Sequence, residues 1–198
     1  MALLTKEERK QYFKDLGIGE YNKANILKFQ KQYFVRKKDQ DGIYGPDTDN
    51  LLRHVWNVLV WLPKQNGGKA NFVPEEFRCG CGAAYCTGYP TYMKPHQLEL
   101  VQNIRTLFGR PMTVTCGMRC RTFNRKLNGS VANSKHLSGE ATDYYMTGIT
   151  DTLANRKKAV PKIKKLKHHS YTYGNGINSI GGRPYAPYMG NALHTDSK

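Results

Sequence analysis

The sequence lacks the features that would place the protein in a membrane or give it an export signal. No apolar run approaches the roughly 20 residues that a membrane-spanning helix needs. The segment Met1–Glu8 has neither the basic region nor the apolar core of a signal peptide. We therefore expect a chain with no membrane span that is made in the cytoplasm without a signal peptide. If it acts outside the cell, another route must release it.

Cysteine is scarce and confined to the later part of the chain. None of the five cysteines lies in the first 78 residues, and an odd number argues against a complete disulfide framework. Without an export signal, reduced thiols are the default. Three interpretations stay open for four of them: unliganded thiols, disulfides formed after release, or the closed tetrahedral shell of a second, structural Zn²⁺. These four are Cys79, Cys81, Cys86 and Cys120.

Acidic residues are few. The chain has 15 Asp and Glu against 31 Lys and Arg, which gives a formal net charge of +16. Such a charge raises encounter rates with polyanions, so nucleic acid, anionic lipid and anionic wall polymers all qualify as partners. No helix-turn-helix, RNP-type or zinc-finger spacing is present, which argues against a specific nucleic-acid partner. The lysine-rich stretch 156–169 is either a solvated face or a docking surface for anionic wall polymers.

The hydrophobic pattern divides the chain into two parts. A capping-box pattern at Thr5 and Glu8 and a later apolar stripe from Leu51 to Leu59 predict a small helical module over residues 1–62. The polar, glycine-containing segment 63–70 reads as a linker. Residues 71–198 combine a helical pattern near 98–107 with strand-like segments at 112–115 and 141–146. The predicted fold class is α+β.

The stretch from Ser134 to Asp143 carries the most chemistry. His136 and Asp143 are seven positions apart and would face opposite sides of one straight strand. Gly139 permits a bend between them, so both side chains could reach one point. His194 supplies a second imidazole near the end of the chain. Two histidines and one carboxylate form a known catalytic zinc shell, in which water takes the fourth position.

The pattern Ser-x-His-x-x-x-Gly-x-Ala-x-Asp, followed late by His-x-Asp, resembles the zinc D-Ala-D-Ala carboxypeptidases and L-Ala-D-Glu endopeptidases, whose fold is shared with the hedgehog signalling domain. The segments 77–90 and 115–124 are similar to a phage and prophage branch of that family. The resemblance covers roughly residues 72–196. It implies a hedgehog-type domain in which helices flank a small antiparallel sheet that carries a zinc site.

The resemblance also implies roles for single residues. His136, Asp143 and His194 would bind the catalytic Zn²⁺. Arg119 would face the carboxylate of the substrate or the developing oxyanion, since a guanidinium fork suits both. Ser134 would hydrogen-bond the substrate near the metal.

One position departs from the pattern of several relatives. These relatives carry a glutamate as general base three residues before the last histidine, and here Asn191 stands in its place. Asp196 is therefore a candidate base or an orienter of a ligand histidine. Glu140 is a weaker candidate. Because the base is uncertain, a protein that binds the wall without cutting it remains an alternative.

The N-terminal part also resembles a known module. Asp-Gly-Ile-Tyr-Gly-Pro-x-Thr at 41–48, after the helix that contains Leu27–Gln30, is similar to the three-helix peptidoglycan-binding module. Together the two parts predict a monomeric, endolysin-like zinc peptidase that reaches bacterial peptidoglycan after release from the cytoplasm. The sequence does not tell D-Ala-D-Ala trimming from L-Ala-D-Glu or cross-bridge cleavage. A basic nucleic-acid-binding protein is the more distant alternative.

Overall fold

The first helices begin where capping side chains allow them to. In this computed structural model, which describes residues 2–69, 71–178 and 186–198, α1 (Lys6–Asp15) is preceded by Thr5, whose hydroxyl accepts a hydrogen bond from the Glu8 amide. Helix α2 (Lys23–Tyr33) is capped in the same way by Asn22. Helix α3 (Pro46–Trp56) starts at a proline, which lacks an amide hydrogen at a position where none is needed.

The loop between α2 and α3 is held by one buried amide side chain. Gln30 is 1% exposed. Its side-chain nitrogen lies 3.0 Å from both Asp41 Oδ1 and the Thr48 hydroxyl, and its oxygen accepts from the Gly42 amide at 2.7 Å. Since the amide has partners on both sides of the loop, it fixes the Asp-Gly turn against α2. The three helices enclose a core that includes Phe13, Phe29 and Leu52.

The helical segment runs past the expected module boundary. Helix α3 continues through a π-helical turn (Asn57–Trp61) into α4 (Leu62–Gln65), so three residues of the expected linker 63–70 are helical. Pro63 falls in the first turn of α4, where its missing amide hydrogen costs little. Leu62 is fully buried, and its burial stabilises this extension.

The two parts of the chain contact each other directly. The Asn57 side chain donates to the Met93 carbonyl at 3.2 Å, and His54 Nε2 lies 2.9 Å from the Pro74 carbonyl. Buried apolar residues of both parts form one continuous cluster. The helical part therefore rests on the second part through a packed, hydrogen-bonded interface.

The second part is built on an antiparallel sheet of four strands in the order β1-β2-β4-β3. These are β1 (Thr113–Cys116), β2 (Ala141–Tyr145), β3 (His169–Gly174) and β4 (Leu193–Ser197). Helix α5 (Pro95–Phe108) packs on one face, where the buried Gln97 side chain donates to Thr142 and to the Thr195 carbonyl. The short helix α6 (Arg121–Lys126) and α7 (Leu153–Ile163) complete this part.

The predicted α+β class is confirmed: helices flank a small antiparallel sheet. The strand predicted at 112–115 is found one residue later, at 113–116, and the strand predicted at 141–146 ends one residue earlier, at 145. Pro161 lies inside α7. In the part of the chain that the structure describes, no helix is long and apolar enough to cross a membrane.

Candidate active site

The pairing of the four strands aligns a row of polar side chains across the sheet. Asp143 on β2 lies opposite Cys116 on β1 and opposite His194 on β4, and His194 lies opposite Tyr173 on β3. Residues that are directly opposite share a face of the sheet. The row therefore lies on the face that α5 leaves open. The Tyr173 ring stacks on the His194 ring with centroids 4.3 Å apart.

His136 reaches the same point from outside the sheet. It sits in the short 3₁₀ turn Lys135–Leu137, and Gly139 reverses the chain towards β2 with a φ of +74°. A Cβ atom at Gly139 would lie 2.0 Å from the Tyr92 carbonyl oxygen. Only glycine combines this backbone conformation with this close approach. The bend expected at Gly139 is present and brings His136 back over Asp143.

Three potential metal-binding atoms converge at this point. His136 Nε2 lies 3.2 Å from Asp143 Oδ1 and 3.2 Å from His194 Nδ1. His194 Nδ1 lies 2.6 Å from Asp143 Oδ1. All three side chains are buried. The structure thus brings together the three residues named as metal ligands from the sequence.

The other ring nitrogen of each histidine is held by an acceptor. His136 Nδ1 lies 2.7 Å from the Gly117 carbonyl oxygen, and His194 Nε2 lies 2.5 Å from Asp196 Oδ1. An acceptor on each outer nitrogen can hold a hydrogen there, so His136 Nε2 and His194 Nδ1, which face Asp143, are the nitrogens available to a metal ion. Acceptors of this kind fix the tautomer of metal-binding histidines.

The electrostatics of the buried group follow from its three members. Burial opposes protonation of His136, but the charge of Asp143 and the nearby Cys116 outweigh it and raise the pKa of the ring to about 10. Burial likewise opposes ionisation of Asp143, yet His136 and His194 hold the pKa of its carboxyl well below the usual range. The site therefore holds an ionised Asp143 carboxylate whose charge is balanced by a proton on His136. A divalent cation can replace that proton.

The donor set fits a zinc ion. A tetrahedral ion with bonds of 2.0–2.1 Å separates its ligand atoms by about 3.3 Å. Two of the three distances, at 3.2 Å, are close to this value, whereas His194 Nδ1 and Asp143 Oδ1 are at the hydrogen-bond distance of 2.6 Å. Cys116 also lies near His136 and Asp143 and forms a second candidate group with them. Its Sγ atom, however, is 3.7 Å from His136 Nδ1, the nitrogen that faces the Gly117 carbonyl. We therefore favour His194 over Cys116 as the third ligand.

Arg119 lies beside the group. Its Nη2 atom is 3.4 Å from Asp143 Oδ2, the carboxylate oxygen that faces away from the histidines, and 3.3 Å from Cys116 Sγ. Its Nη1 atom donates to the Asn124 side chain at 3.1 Å. The buried Nε atom has no hydrogen-bond partner among the described residues. Arg119 is thus fixed by the protein yet retains an unused donor.

A cavity of about 650 Å³ opens over this face. Asp143, Arg119 and Ser134, which the sequence placed in the site, all line it, and so does Asn191. Asp143 is the one carboxylate among the described residues that line the cavity. Glu140, the weaker base candidate, instead contacts Ser138 and Lys135 outside it.

Sequence reasoning missed two kinds of residue here. Tyr173 and Tyr188 line the cavity, and neither was predicted to belong to the site. The alternation of Tyr171 and Tyr173 in β3 was the available signal, because alternate residues of a strand share a face. Cys116 read as a small strand residue, and the structure adds it to the row beside Asp143.

The other four cysteines converge at a second point. The Sγ atoms of Cys79, Cys81, Cys86 and Cys120 all lie within 4.8 Å of one another. Cys120 is the N-cap residue of α6 and directly follows Arg119. This cluster is separate from the group formed by His136, Asp143 and His194.

Comparison with known proteins identifies the family. Residues 70–174 match the family model described as Peptidase M15. The match includes His136 and Asp143 and ends before His194, so the third member of the buried group comes from the strand pairing rather than from the matched segment. No curated protein sequence matches the chain.

Proposed function

The chain belongs to the peptidase M15 family, and from this we propose that it is a zinc-dependent peptidase that hydrolyses an amide bond in the peptide part of bacterial peptidoglycan. The observation that carries the proposal is the convergence of His136 Nε2, Asp143 Oδ1 and His194 Nδ1 within 3.2 Å of one another. Asp143 of this group lines a cavity large enough to admit part of a peptide.

In this proposal His136, Asp143 and His194 would hold the ion. Zinc held there would supply Lewis-acid chemistry, which activates water and polarises a scissile carbonyl. Gly117 and Asp196 orient the two imidazoles through the outer ring nitrogens.

Arg119 is proposed to bind the substrate. Its guanidinium is held by Asn124 and Asp143, so little side-chain entropy is lost when a ligand arrives. Arg119 lines the cavity, and its guanidinium suits a terminal carboxylate or the negative charge that develops on the carbonyl oxygen. Ser134 lines the same cavity and can donate a second hydrogen bond.

Asp196 is proposed to act as an orienter of His194. Its carboxylate contacts Nε2, whereas the other ring nitrogen, Nδ1, faces Asp143. A carboxylate engaged on the outer nitrogen is poorly placed to take a proton from water at the metal position. Tyr173 is a further proton-bearing group in the cavity. Burial and the nearby Asp143 carboxylate raise the pKa of its phenol, which stays protonated and able to donate.

The helical part and the charge fit a wall enzyme. We propose that α1–α3 form a peptidoglycan-binding module, which would raise the local concentration of the catalytic site at an insoluble substrate. The lysines of α7 and the following turn are exposed, and with the net charge of +16 they suit anionic wall polymers. A role as an endolysin-type monomer released from the cytoplasm is consistent with these features.

One observation favours a second candidate function. Asp143 is the one carboxylate among the described residues of the cavity, and Asn191 occupies the position at which several relatives carry a base. A protein that binds the wall without cutting it would have such a cavity. The two candidates differ in whether peptides are released.

The deciding experiment is mass spectrometry of material released from purified peptidoglycan. The protein is assayed as isolated, after a chelator, and after zinc is restored. The variant His136→Ala is compared with His96→Ala, which removes a histidine outside the buried group. We expect the protein to release peptides, the chelator to abolish this release and zinc to restore it. Of the two variants, only His136→Ala should fail to release peptides. The new termini then identify the bond.

The protein is tested on several wall types with zinc supplied. If it binds the wall but releases no peptides, the enzymatic proposal is overturned in favour of a binding protein. Release that survives both the chelator and His136→Ala would overturn the metal assignment.

A further inference from the structure

The thiol cluster near α6 has a geometry that simple packing does not require. Cys81 Sγ and Cys86 Sγ are 3.5 Å apart, and all four Sγ atoms of the cluster lie within 4.8 Å of one another. The four cysteines come from two segments separated by more than 30 residues, yet their sulfurs point to one centre. Two of them, Cys79 and Cys120, are buried.

The spacing suits four ligands around one ion. A tetrahedral ion with metal–sulfur bonds of about 2.3 Å separates its sulfurs by about 3.8 Å. Disulfides would instead join the sulfurs in two separate pairs, each about 2.05 Å apart. All four cysteines are free thiols in the structure. A metal ion requires four sulfurs that converge on one point, whereas two disulfides do not.

The backbone around the cluster is arranged to stabilise thiolates. Three amide groups donate to the sulfurs: Cys120 N to Cys79 Sγ at 3.3 Å, Gly88 N to Cys86 Sγ at 3.3 Å and Phe123 N to Cys120 Sγ at 3.4 Å. The thiolate is the form of cysteine that binds metals, and hydrogen bonds to it favour that form.

From this geometry we propose that Cys79, Cys81, Cys86 and Cys120 bind one structural Zn²⁺ in a closed site of four thiolates. Four sulfur ligands in a tetrahedron select zinc or an iron centre and exclude hard cations such as Mg²⁺ and Ca²⁺. With all four positions filled by protein, no place remains for water or substrate, so the ion has no direct part in catalysis.

The ion would join two segments that border the cavity. The loop 79–88 supplies three of the sulfurs, and Gly80 in that loop lines the cavity. Cys120 supplies the fourth at the start of α6, next to Arg119. A short helix of six residues and an irregular loop bury little apolar surface of their own. Metal binding supplies the free energy that holds them together.

The test uses the variant His136→Ala, because it removes the proposed catalytic ion and leaves the thiol cluster intact. The metal-free protein is loaded with Co²⁺, and the absorption spectrum and the metal content per chain are measured. We expect one cobalt per chain, with the intense thiolate-to-cobalt charge-transfer bands of a site with four sulfur ligands. The same bands should persist in His136→Ala/Cys116→Ser and disappear in His136→Ala/Cys81→Ser.

Thiol counting makes the test independent of whether the cysteine variants fold. Wild-type protein, isolated with zinc and without reductant, is treated with a thiol reagent while folded and again after denaturation with a chelator. We expect four cysteines to be protected while folded and all five to react afterwards. Fewer than five reactive thiols in the denatured protein would reveal disulfides and overturn the proposal. So would an absence of thiolate-bound cobalt in His136→Ala.

This outcome is separable from the proposed function. A peptidase without the structural ion would release peptides yet show no cobalt–thiolate bands in His136→Ala. A protein with the structural ion and no peptidase activity would show those bands and release nothing.

Discussion

Replacing Asp196 with asparagine separates the two roles that this carboxylate could have. Asp196 Oδ1 is 2.5 Å from His194 Nε2, and side-chain exposure at Asp196 is 17%. Asparagine keeps an oxygen that can accept the same hydrogen bond, but it has no charge and cannot take a proton. The substitution therefore weakens the orientation of His194 only partly and removes general-base catalysis completely.

The two roles predict changes of different size in different quantities. Loss of a partner that orients a ligand histidine lowers metal affinity about 10- to 100-fold, which corresponds to about 1.4–2.7 kcal/mol. Loss of a general base lowers kcat by about 10²- to 10⁴-fold and leaves metal affinity unchanged. Because Asp196 contacts the outer nitrogen of His194, we predict weaker zinc binding and a kcat at saturating zinc within a few-fold of the wild type.

The assay measures both quantities on the same samples. Zinc affinity is obtained by competition with a chromogenic chelator, and kcat is obtained from peptide release at saturating zinc. Asp39→Asn is the control, since it removes an equal charge from a pair with Arg36 in the helical part. A kcat that collapses in Asp196→Asn while zinc affinity stays at the wild-type value would refute the orienting role.

Three further predictions concern other parts of the molecule. Arg119→Lys loses the fork geometry, and we expect kcat/KM to fall about 10²- to 10³-fold, measured with zinc occupancy unchanged; an unaltered kcat/KM would contradict the role in substrate binding. In Gly139→Ala the new Cβ meets the Tyr92 carbonyl, so the free energy of unfolding should fall by more than about 2 kcal/mol in denaturant titrations; a stable protein with normal zinc affinity would contradict the tight turn. Burial lowers the pKa of His54 to about 4, although the hydrogen bond to Pro74 acts in the opposite direction. The contribution of the neutral ring to the free energy of unfolding is therefore complete above pH 6.5 and is lost as the pH falls towards 4. The loss is about 3 kcal/mol. His54→Gln keeps an N–H donor, and its free energy of unfolding should depend less steeply on pH than that of the wild type. Identical slopes in the two proteins would contradict this role of His54.

The sequence predicts the residues of the site that lie close together along the chain. His136 and Asp143 are close in sequence, and Gly139 between them signals the bend that joins them. His194 lies 51 residues beyond Asp143 in sequence, and its place beside that carboxylate depends on the pairing of β2 with β4. Without that pairing, its selection as a ligand rested on the resemblance to a family.

The residues that sequence reasoning missed depend on long-range strand order. Tyr173 joins the site because β3 pairs with β4, an arrangement that no local pattern specifies. Cys116 joins the row because β1 pairs with β2 and places it opposite Asp143. The contact of Asp196 with the outer nitrogen of His194 also required coordinates, since residues two apart on a strand share a face but need not touch.

The extent of the helical part shows the same limit. The polar, glycine-containing segment 63–70 predicts a linker, yet burial of Leu62 and the position of Pro63 in a first turn extend the helix to Gln65. Composition describes the segment as a whole, whereas the packing of one leucine decides where the helix ends.

We propose that zinc bound by His136, Asp143 and His194 drives the cleavage of wall peptides. The most direct test of this proposal is a zinc titration of metal-free protein, in which peptide release from peptidoglycan is followed against equivalents of zinc for the wild type and for His194→Gln. We predict that wild-type release rises with zinc and saturates at a fixed number of equivalents, and that His194→Gln stays inactive over the same range. Release by the metal-free wild type, or an equal response in His194→Gln, would contradict the account.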